Sequence, residues 1–102
     1  MLRKIFLGFI RLHILYHAAL GPVCGVDLLR ELRRHGYRLS PGTLYPVLHE
    51  LAALGYLRQS SQIVNGRRRK EYVATAAGRN ALTAARRALT ELSRELLRGA
   101  GA

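Results

Sequence analysis

The sequence predicts a mainly α-helical protein with a small β-hairpin wing, and three observations support this prediction. Apolar residues recur at helical spacing in four separate segments. Asn65-Gly66 stands between two strand-like segments, which is the strongest short-range signal of a β-hairpin. At 102 residues, the chain has the usual size of one small domain.

The first helix is predicted over residues 2 to about 19. Its side chains are apolar around most of the helix, and only a narrow stripe with Lys4 and Arg11 interrupts them. A helix of this kind must be covered on more than one side. Because the chain is short, a second copy is a natural cover. We therefore expect a dimer interface that includes Phe6, Phe9 and Ile10.

A second helix is predicted from Val26 to His35. The Gly21-Pro22 pair ends the first helix before it, and Gly36 is a candidate for its C-terminal cap. The basic residues of its last turn, among them His35, lie at the negative end of the helix dipole.

A third helix is predicted to begin at Ser40-Pro41 and to run to about Leu54. Serine is a favoured N-cap, and proline is favoured at the first helical position. Apolar residues follow one face of this helix. The other face is small and polar near the N-terminus, with no acid before Glu50.

The predicted hairpin pairs Tyr56–Val64 with Arg67–Ala74. Four consecutive cations follow its turn: Arg67, Arg68, Arg69 and Lys70. A protein core would not bury four unpaired cations, so we expect them on the surface. There they contact phosphate groups, or they form a run of solvated charges.

A fourth helix is predicted from Ala76 to about Leu97, with Thr75 as its N-cap. Its apolar residues follow a heptad pattern of about two and a half repeats. The seam consists of Leu82, Ala85, Leu89, Leu92 and Leu96. We expect this seam in the dimer interface, and packing within the chain is the alternative.

Two helices joined by a short turn and followed by a basic hairpin make a winged helix-turn-helix, here with a C-terminal dimerisation helix. Residues 1–75 are the predicted DNA-binding domain, including the N-terminal helix, and residues 76–102 are the dimerisation helix. The third helix would enter the major groove, and the wing would contact the backbone. The predicted DNA contacts are Ser40, Gly42, Thr43, Tyr45, Pro46, His49, Asn65, Gly66, Arg67, Arg68, Arg69 and Lys70.

The net charge also indicates a polyanionic partner. Seventeen Lys and Arg against six Asp and Glu give a formal charge of +11. The densest cluster of cations, Arg67–Lys70, lies on the hairpin, which disfavours a membrane-surface helix. The spacing of helix and wing suits double-stranded DNA better than single-stranded RNA. A basic nucleic-acid-binding protein without a regulatory role is the broader alternative.

Several motifs together resemble the PadR family of bacterial transcriptional regulators. They are Gly21-Pro22 with Gly25, Ser40–Leu48, Leu54–Leu57, Asn65–Tyr72 and Thr75–Arg79. The resemblance implies a homodimeric winged-helix repressor of the short subfamily, in which the first and last helices form the dimer. It also implies a small effector bound between subunits. Cys24 stands where the family often has Tyr, and the chain has no Trp, which disfavours an aromatic drug as effector.

His13 and His17 stand one helical turn apart, so their rings can converge on one ion. They fall within the apolar face, where two buried, hydrogen-bonded histidines or a protein contact are the simpler interpretation. A divalent metal that makes this a metal-responsive regulator is one alternative, and pH or organic-ligand sensing is another. Cys24 could add a thiolate, or it is a small buried residue.

Other protein classes are disfavoured. One cysteine cannot form an internal disulfide, which is compatible with the cytoplasm. The N-terminal apolar run imitates a signal peptide, but Arg11 interrupts it. No apolar run reaches the roughly 18 residues of a membrane span, so we predict no membrane partner. Acids are few and no nucleophile–histidine signature is visible, so we predict no enzyme and no certain cofactor.

Overall fold

A computed structural model describes residues 1–101 as four helices and a small sheet. The helices are α1 (Leu2–Leu20), α2 (Gly25–Arg34), α3 (Pro41–Ala53) and α4 (Ala76–Gly101). The strands are β1 (Val23–Cys24), β2 (Leu57–Val64) and β3 (Arg67–Ala74). The predicted fold class is confirmed. Residue 102, at the end of the predicted dimerisation helix, lies outside the described residues.

The sheet has three strands in the order β1-β3-β2, rather than only the two of the predicted hairpin. β1 pairs antiparallel with β3, where Val23 lies opposite Tyr72 and Cys24 lies opposite Glu71. A two-residue strand has no alternation pattern, so local sequence does not reveal it. Because β1 leads directly into α2, this pairing attaches the helix-turn-helix to the base of the wing.

The turn of the hairpin is the tight two-residue kind that the sequence predicts. Asn65 has a φ of 53° and Gly66 has a φ of 77°. Positive φ at both central residues matches the right-handed twist of two antiparallel strands. β2 and β3 then stay paired along all eight residues of each strand. The wing is therefore a long, regular ribbon.

The core lies between α1, α2, α3 and the sheet. Tyr72 of β3 is the largest fully buried side chain, at 1% exposed. The other large side chains that are fully buried are Ile14, Leu28, Leu32, Leu44 and Leu48. In both α2 and α3 these residues are four positions apart, so each helix buries one face. This packing turns the small, polar face of α3 away from the core.

The starts of α3 and α4 are set by different contacts. Thr75 caps α4 as predicted, because its Oγ1 accepts a hydrogen bond from the Gly78 N–H at 3.0 Å and donates one to the Gly55 carbonyl at 2.5 Å. α3 begins where expected, but the Ser40 side chain does not cap it. The Thr43 N–H instead bonds to the Ser40 carbonyl, and the Ser40 hydroxyl turns to Thr43 Oγ1 at 3.4 Å.

The longest helix, α4, projects from the rest of the molecule. With this helix included, the molecule measures 56 × 28 × 21 Å. Its first part packs on α1 and β3. Residues 86–99 are all exposed, and the helix extends beyond the predicted end at Leu97. Among the helices of residues 1–101, none combines the length and apolar character that crossing a bilayer requires.

Candidate nucleic-acid interface

The N-terminal half of α3 presents a small, polar face to solvent. Gly42, Pro46 and His49 are exposed, and Thr43 and Tyr45 are half-buried. No acidic residue lies in the first turn of this helix. The free N–H groups and the positive end of the dipole at a helix N-terminus attract phosphate. This face therefore has the shape and the polarity to approach DNA.

Pro46 lies in the interior of α3, and the helix continues through it. Proline has no N–H, so the Gly42 carbonyl one turn earlier loses its usual helical donor. Both residues are exposed, so water can satisfy this carbonyl. The backbone of the predicted contact face is therefore more open than in a regular helix.

The ring of Tyr45 is seated directly against Gly25, the first residue of α2. A Cβ atom built at Gly25 would lie 2.7 Å from Tyr45 Cε1 and 2.7 Å from Tyr45 Oη. Atoms cannot approach that closely, so only glycine at position 25 leaves room for the ring in this position. Burial raises the pKa of the neighbouring Tyr72, and the nearby Tyr45 raises it further.

The wing presents three of its four predicted cations to solvent. Arg67, Arg68 and Lys70 are exposed, and none of them forms an ion pair within residues 1–101. Asn65 and Gly66 are exposed at the tip. Side chains alternate along a strand, so Arg68 and Lys70 lie on one face of β3 and Arg67 lies on the other.

Arg69 differs from its neighbours on the wing. It is half-buried, and its Nη2 donates a hydrogen bond to Asp27 Oδ2 at 2.6 Å. Asp27 lies in the first turn of α2. Of the four cations predicted as DNA contacts, Arg69 is therefore the one that already has a carboxylate partner within the described residues. Its guanidinium is already occupied by an internal carboxylate.

One surface depression brings α3 and the wing together. Tyr45 of α3 and Arg68 and Lys70 of β3 all line it, and Arg69 and Asp27 form part of its wall. The two segments that the sequence separately predicts as DNA contacts thus border a single concave surface.

The predicted dimer residues fall into two groups. Phe6 and Phe9 on α1 are exposed, as are Leu89, Leu92 and Leu96 on α4. Ile10 (3% exposed) and Leu82 (6% exposed) instead belong to the core of the single chain, and Ala85 is half-buried. The expectation that a second subunit covers Ile10 and Leu82 is corrected, because both are already buried in the core of the single chain.

A third histidine joins the predicted pair. One ring nitrogen from each of His13, His17 and His35 can be chosen so that the three atoms lie within 4.8 Å of one another. Burial lowers the pKa of His13, and the neighbouring His35 and His17 lower it further, while Glu31 opposes the shift. His35 lies on a different helix from His13 and His17, so spacing along the sequence does not predict that the three rings are close together.

Cys24 lies apart from these histidines. It is buried in β1, at 7% exposed, and it is not a member of the histidine cluster. The interpretation as a small buried residue therefore fits its environment, and the interpretation as a third thiolate ligand beside His13 and His17 does not.

Comparison with known proteins gives a consistent result. Residues 14–84 match the family model described as the transcriptional regulator PadR-like family. The chain is 60% identical over 90 residues to transcriptional regulator Rv3488 of Mycobacterium tuberculosis, covering 88% of this chain and 84% of that protein.

Solved structures agree with the family match. A transcriptional regulator from Thermoplasma acidophilum, TA0346, superposes with a TM-score of 0.82 at 26% identity, covering 94% of this chain and 93% of the other. A PadR-like transcriptional regulator from Bacillus cereus superposes with a TM-score of 0.81 at 25% identity, covering 96% and 93%.

Proposed function

The chain belongs to the PadR-like family of transcriptional regulators, and we propose that it acts as a homodimeric repressor that binds a specific promoter sequence. Members of this family are DNA-binding regulators rather than enzymes. The observation that carries the proposal is the depression that Tyr45, Arg68 and Lys70 share, because it gives helix and wing one surface for a duplex.

In this proposal, α3 and the wing have different tasks. The N-terminal face of α3, with Gly42, Thr43 and Pro46, enters the major groove and contacts base edges. Arg67, Arg68 and Lys70 neutralise phosphates and supply affinity that does not depend on sequence. Arg69 serves mainly to hold the wing against α2, because it is paired with Asp27.

The proposed dimer uses the exposed apolar faces of α1 and α4. Phe6 and Phe9 form an edge-to-face pair with ring centroids 6.2 Å apart, and both rings remain exposed. Leu89, Leu92 and Leu96 recur along the projecting part of α4. A seam of this spacing is typical of helix pairing between subunits, and a second copy of the chain supplies a matching seam.

A small organic molecule is our first candidate for the effector. A cavity joins the exposed face of α1 to the start of α3, and its lining includes Phe6, Leu7, Ile10, Tyr37, Leu39 and Thr43. The lining is mostly apolar, and its polar residues are Tyr37, Thr43 and the two cations Arg3 and Arg38, which suits a small ligand. A ligand there would contact both α1 and α3. Release from promoter DNA would then restore transcription in the bacterial cytoplasm.

Selection from a pool of random duplexes tests the proposal, since it yields the preferred sequence directly. Fluorescence anisotropy then compares the selected duplex with a shuffled one at two salt concentrations. We expect about a thousandfold preference for the selected duplex and a steep loss of affinity with salt. Equal affinity for both duplexes would instead support a basic nucleic-acid-binding protein without a regulatory role.

Two variants separate the tasks of helix and wing. Thr43→Ala should weaken binding to the selected duplex and leave binding to the shuffled duplex unchanged, because Thr43 is proposed to contact bases. Arg68→Ala should weaken binding to the selected and to the shuffled duplex about equally. Arg87→Ala is the matched control for net charge, because Arg87 is an exposed cation on α4, away from the wing.

A further inference from the structure

We propose that His13, His17 and His35 form a binding site for one divalent transition-metal ion of the zinc class, which would join α1 to the C-terminal end of α2. Three ring nitrogens, one from each residue, lie within 4.8 Å of one another. The site is separate from the DNA-binding face, so this inference does not depend on the proposed function.

The fold holds the three rings in place from two helices. His13 and His17 are four residues apart on α1, so both rings leave the same side of the helix. His35 is the C-terminal cap of α2, and its backbone N–H is bonded to the carbonyls of Glu31 and Leu32. The ring centroids of His13 and His35 are 5.1 Å apart, and His17 lies 6.5 Å from each.

The side-chain environment favours a ligand role over a purely structural one. Within the described part of the chain, the ring nitrogens of His13 and His17 form no hydrogen bond, so the expected hydrogen-bonded pair is not found. All three rings are partly exposed, so an ion can reach them. A metal ion binds the neutral form of an imidazole, and three imidazoles this close together can each offer one ring nitrogen to the same ion.

The required movement is small. A tetrahedral zinc site has Zn–N distances near 2.0–2.1 Å, so its nitrogens lie about 3.3 Å apart. Since no pair of these nitrogens is more than 4.8 Å apart, none must close by more than about 1.5 Å to meet that geometry, which rotation of the imidazole rings can supply. Nitrogen ligands of this kind suit zinc, cobalt, nickel and copper, and they do not suit magnesium or calcium.

The negative charge of Glu31 favours a cation at this site. Its Oε1 lies 3.2 Å from His35 Nε2, and the same carboxylate is bonded to Arg34 at 2.5 Å. At this distance the negative charge of the carboxylate offsets part of the charge of an ion bound by His35. A water molecule, or Glu31 itself after release from Arg34, can supply the fourth ligand of the ion.

Cobalt titration of the metal-free, full-length protein tests the site directly. Co²⁺ in a tetrahedral nitrogen site absorbs visible light, and displacement by Zn²⁺ removes the bands. We expect one Co²⁺ per chain for the wild type. His35→Gln and His13→Gln should each weaken binding by roughly tenfold or more, because one of three ligands is lost.

His49→Gln is the matched control for metal binding, because His49 is the only other histidine of the sequence and lies on α3. It should bind Co²⁺ as the wild type does. Circular dichroism of each variant verifies its helix content, and either ligand variant that retains it suffices for the test. Absence of stoichiometric Co²⁺ binding by the wild type, or equal affinity in the ligand variants and in His49→Gln, overturns the proposal.

Discussion

The guanidinium of Arg69 on the wing lies 2.6 Å from the carboxylate of Asp27 on α2. This contact joins two segments that are 42 residues apart in the chain. Together with the pairing of β1 and β3, it fixes the base of the wing relative to the helix-turn-helix. The four cations of the wing therefore differ in their surroundings although they are consecutive in sequence.

The first prediction concerns this difference. Arg68→Ala should reduce the dependence of log Kd on log salt concentration by about one per DNA-contacting subunit, because one phosphate contact is lost. Arg69→Ala should change that slope much less, because its guanidinium is paired with Asp27. Anisotropy titrations at four or more salt concentrations measure both slopes. Equal loss of slope in the two variants would show that Arg69 leaves Asp27 to bind DNA.

The second prediction concerns Gly25. Gly25→Ala should destabilise the fold by about 1–3 kcal/mol, because the new methyl group overlaps the ring of Tyr45. The matched control is Gly8→Ala, where nothing lies within 4 Å of an added Cβ. That change should be neutral or stabilise α1 by up to about 1 kcal/mol. Urea unfolding followed by circular dichroism measures both.

A double variant separates overlap with Tyr45 from other effects at position 25. Gly25→Ala/Tyr45→Ala removes the overlapping ring. Gly25→Ala should therefore lower the free energy of unfolding much less in the Tyr45→Ala background than in the wild type. An equal loss of unfolding free energy in both backgrounds would show that overlap with Tyr45 is not the cause and that the strain arises elsewhere in α2.

The sequence predicts those parts of the fold that are decided by residues close together in the chain. The Ser40-Pro41 start of α3 and the Asn65-Gly66 turn are decided by neighbouring residues, and the structure confirms both positions. β1 is not predicted because its two residues form a strand only by pairing with Tyr72 and Glu71. Local pattern carries no information about such a distant partner.

The functional residues show the same difference. Those set by local spacing are predicted from the sequence, and those set by contacts between distant segments are not. His13 and His17 are identified from the sequence because helical spacing places them together, but His35 joins them only through the packing of α2 against α1. The occupation of Arg69 likewise depends on the position of Asp27 in space. Ile10 has the same apolar character as Phe9, and only the packing of the helices decides which of the two is buried.

The third prediction concerns the apolar seam of α4. Leu89→Glu/Leu92→Glu should yield a monomer that retains its helix content, because these side chains are 39% and 51% exposed in the single chain. Affinity for the selected duplex should fall roughly tenfold or more, because one subunit binds only one half-site. Light scattering measures the mass, and anisotropy measures the affinity.

The control for this prediction is Thr83→Glu/Thr90→Glu. It adds the same two charges to α4, at exposed positions on the side of the helix away from the seam. We expect this variant to remain dimeric. If the seam variant is also dimeric at the same concentration, the interface lies elsewhere.

The fourth prediction connects the histidine site to DNA and therefore rests on the proposed function. Zn²⁺ should lower the affinity of the wild type for its selected duplex by about fivefold or more, a typical coupling between two sites. The physical reason is that closing the ligands around an ion draws the C-terminal end of α2 towards α1. α2 and α3 are consecutive helices, so this movement changes the position of α3 relative to α1.

Affinity is measured first without metal, which tests DNA binding by itself, and then with buffered Zn²⁺. His35→Gln should bind the duplex as the metal-free wild type does and should not respond to Zn²⁺, because it lacks one ligand while the DNA-binding face is unchanged. A loss of affinity of equal size in His35→Gln would show that Zn²⁺ acts at another place, such as the DNA-binding face. Normal metal binding with no change in DNA affinity would leave the site in place and exclude its coupling to DNA, because an ion can shift only an equilibrium whose two states it binds unequally.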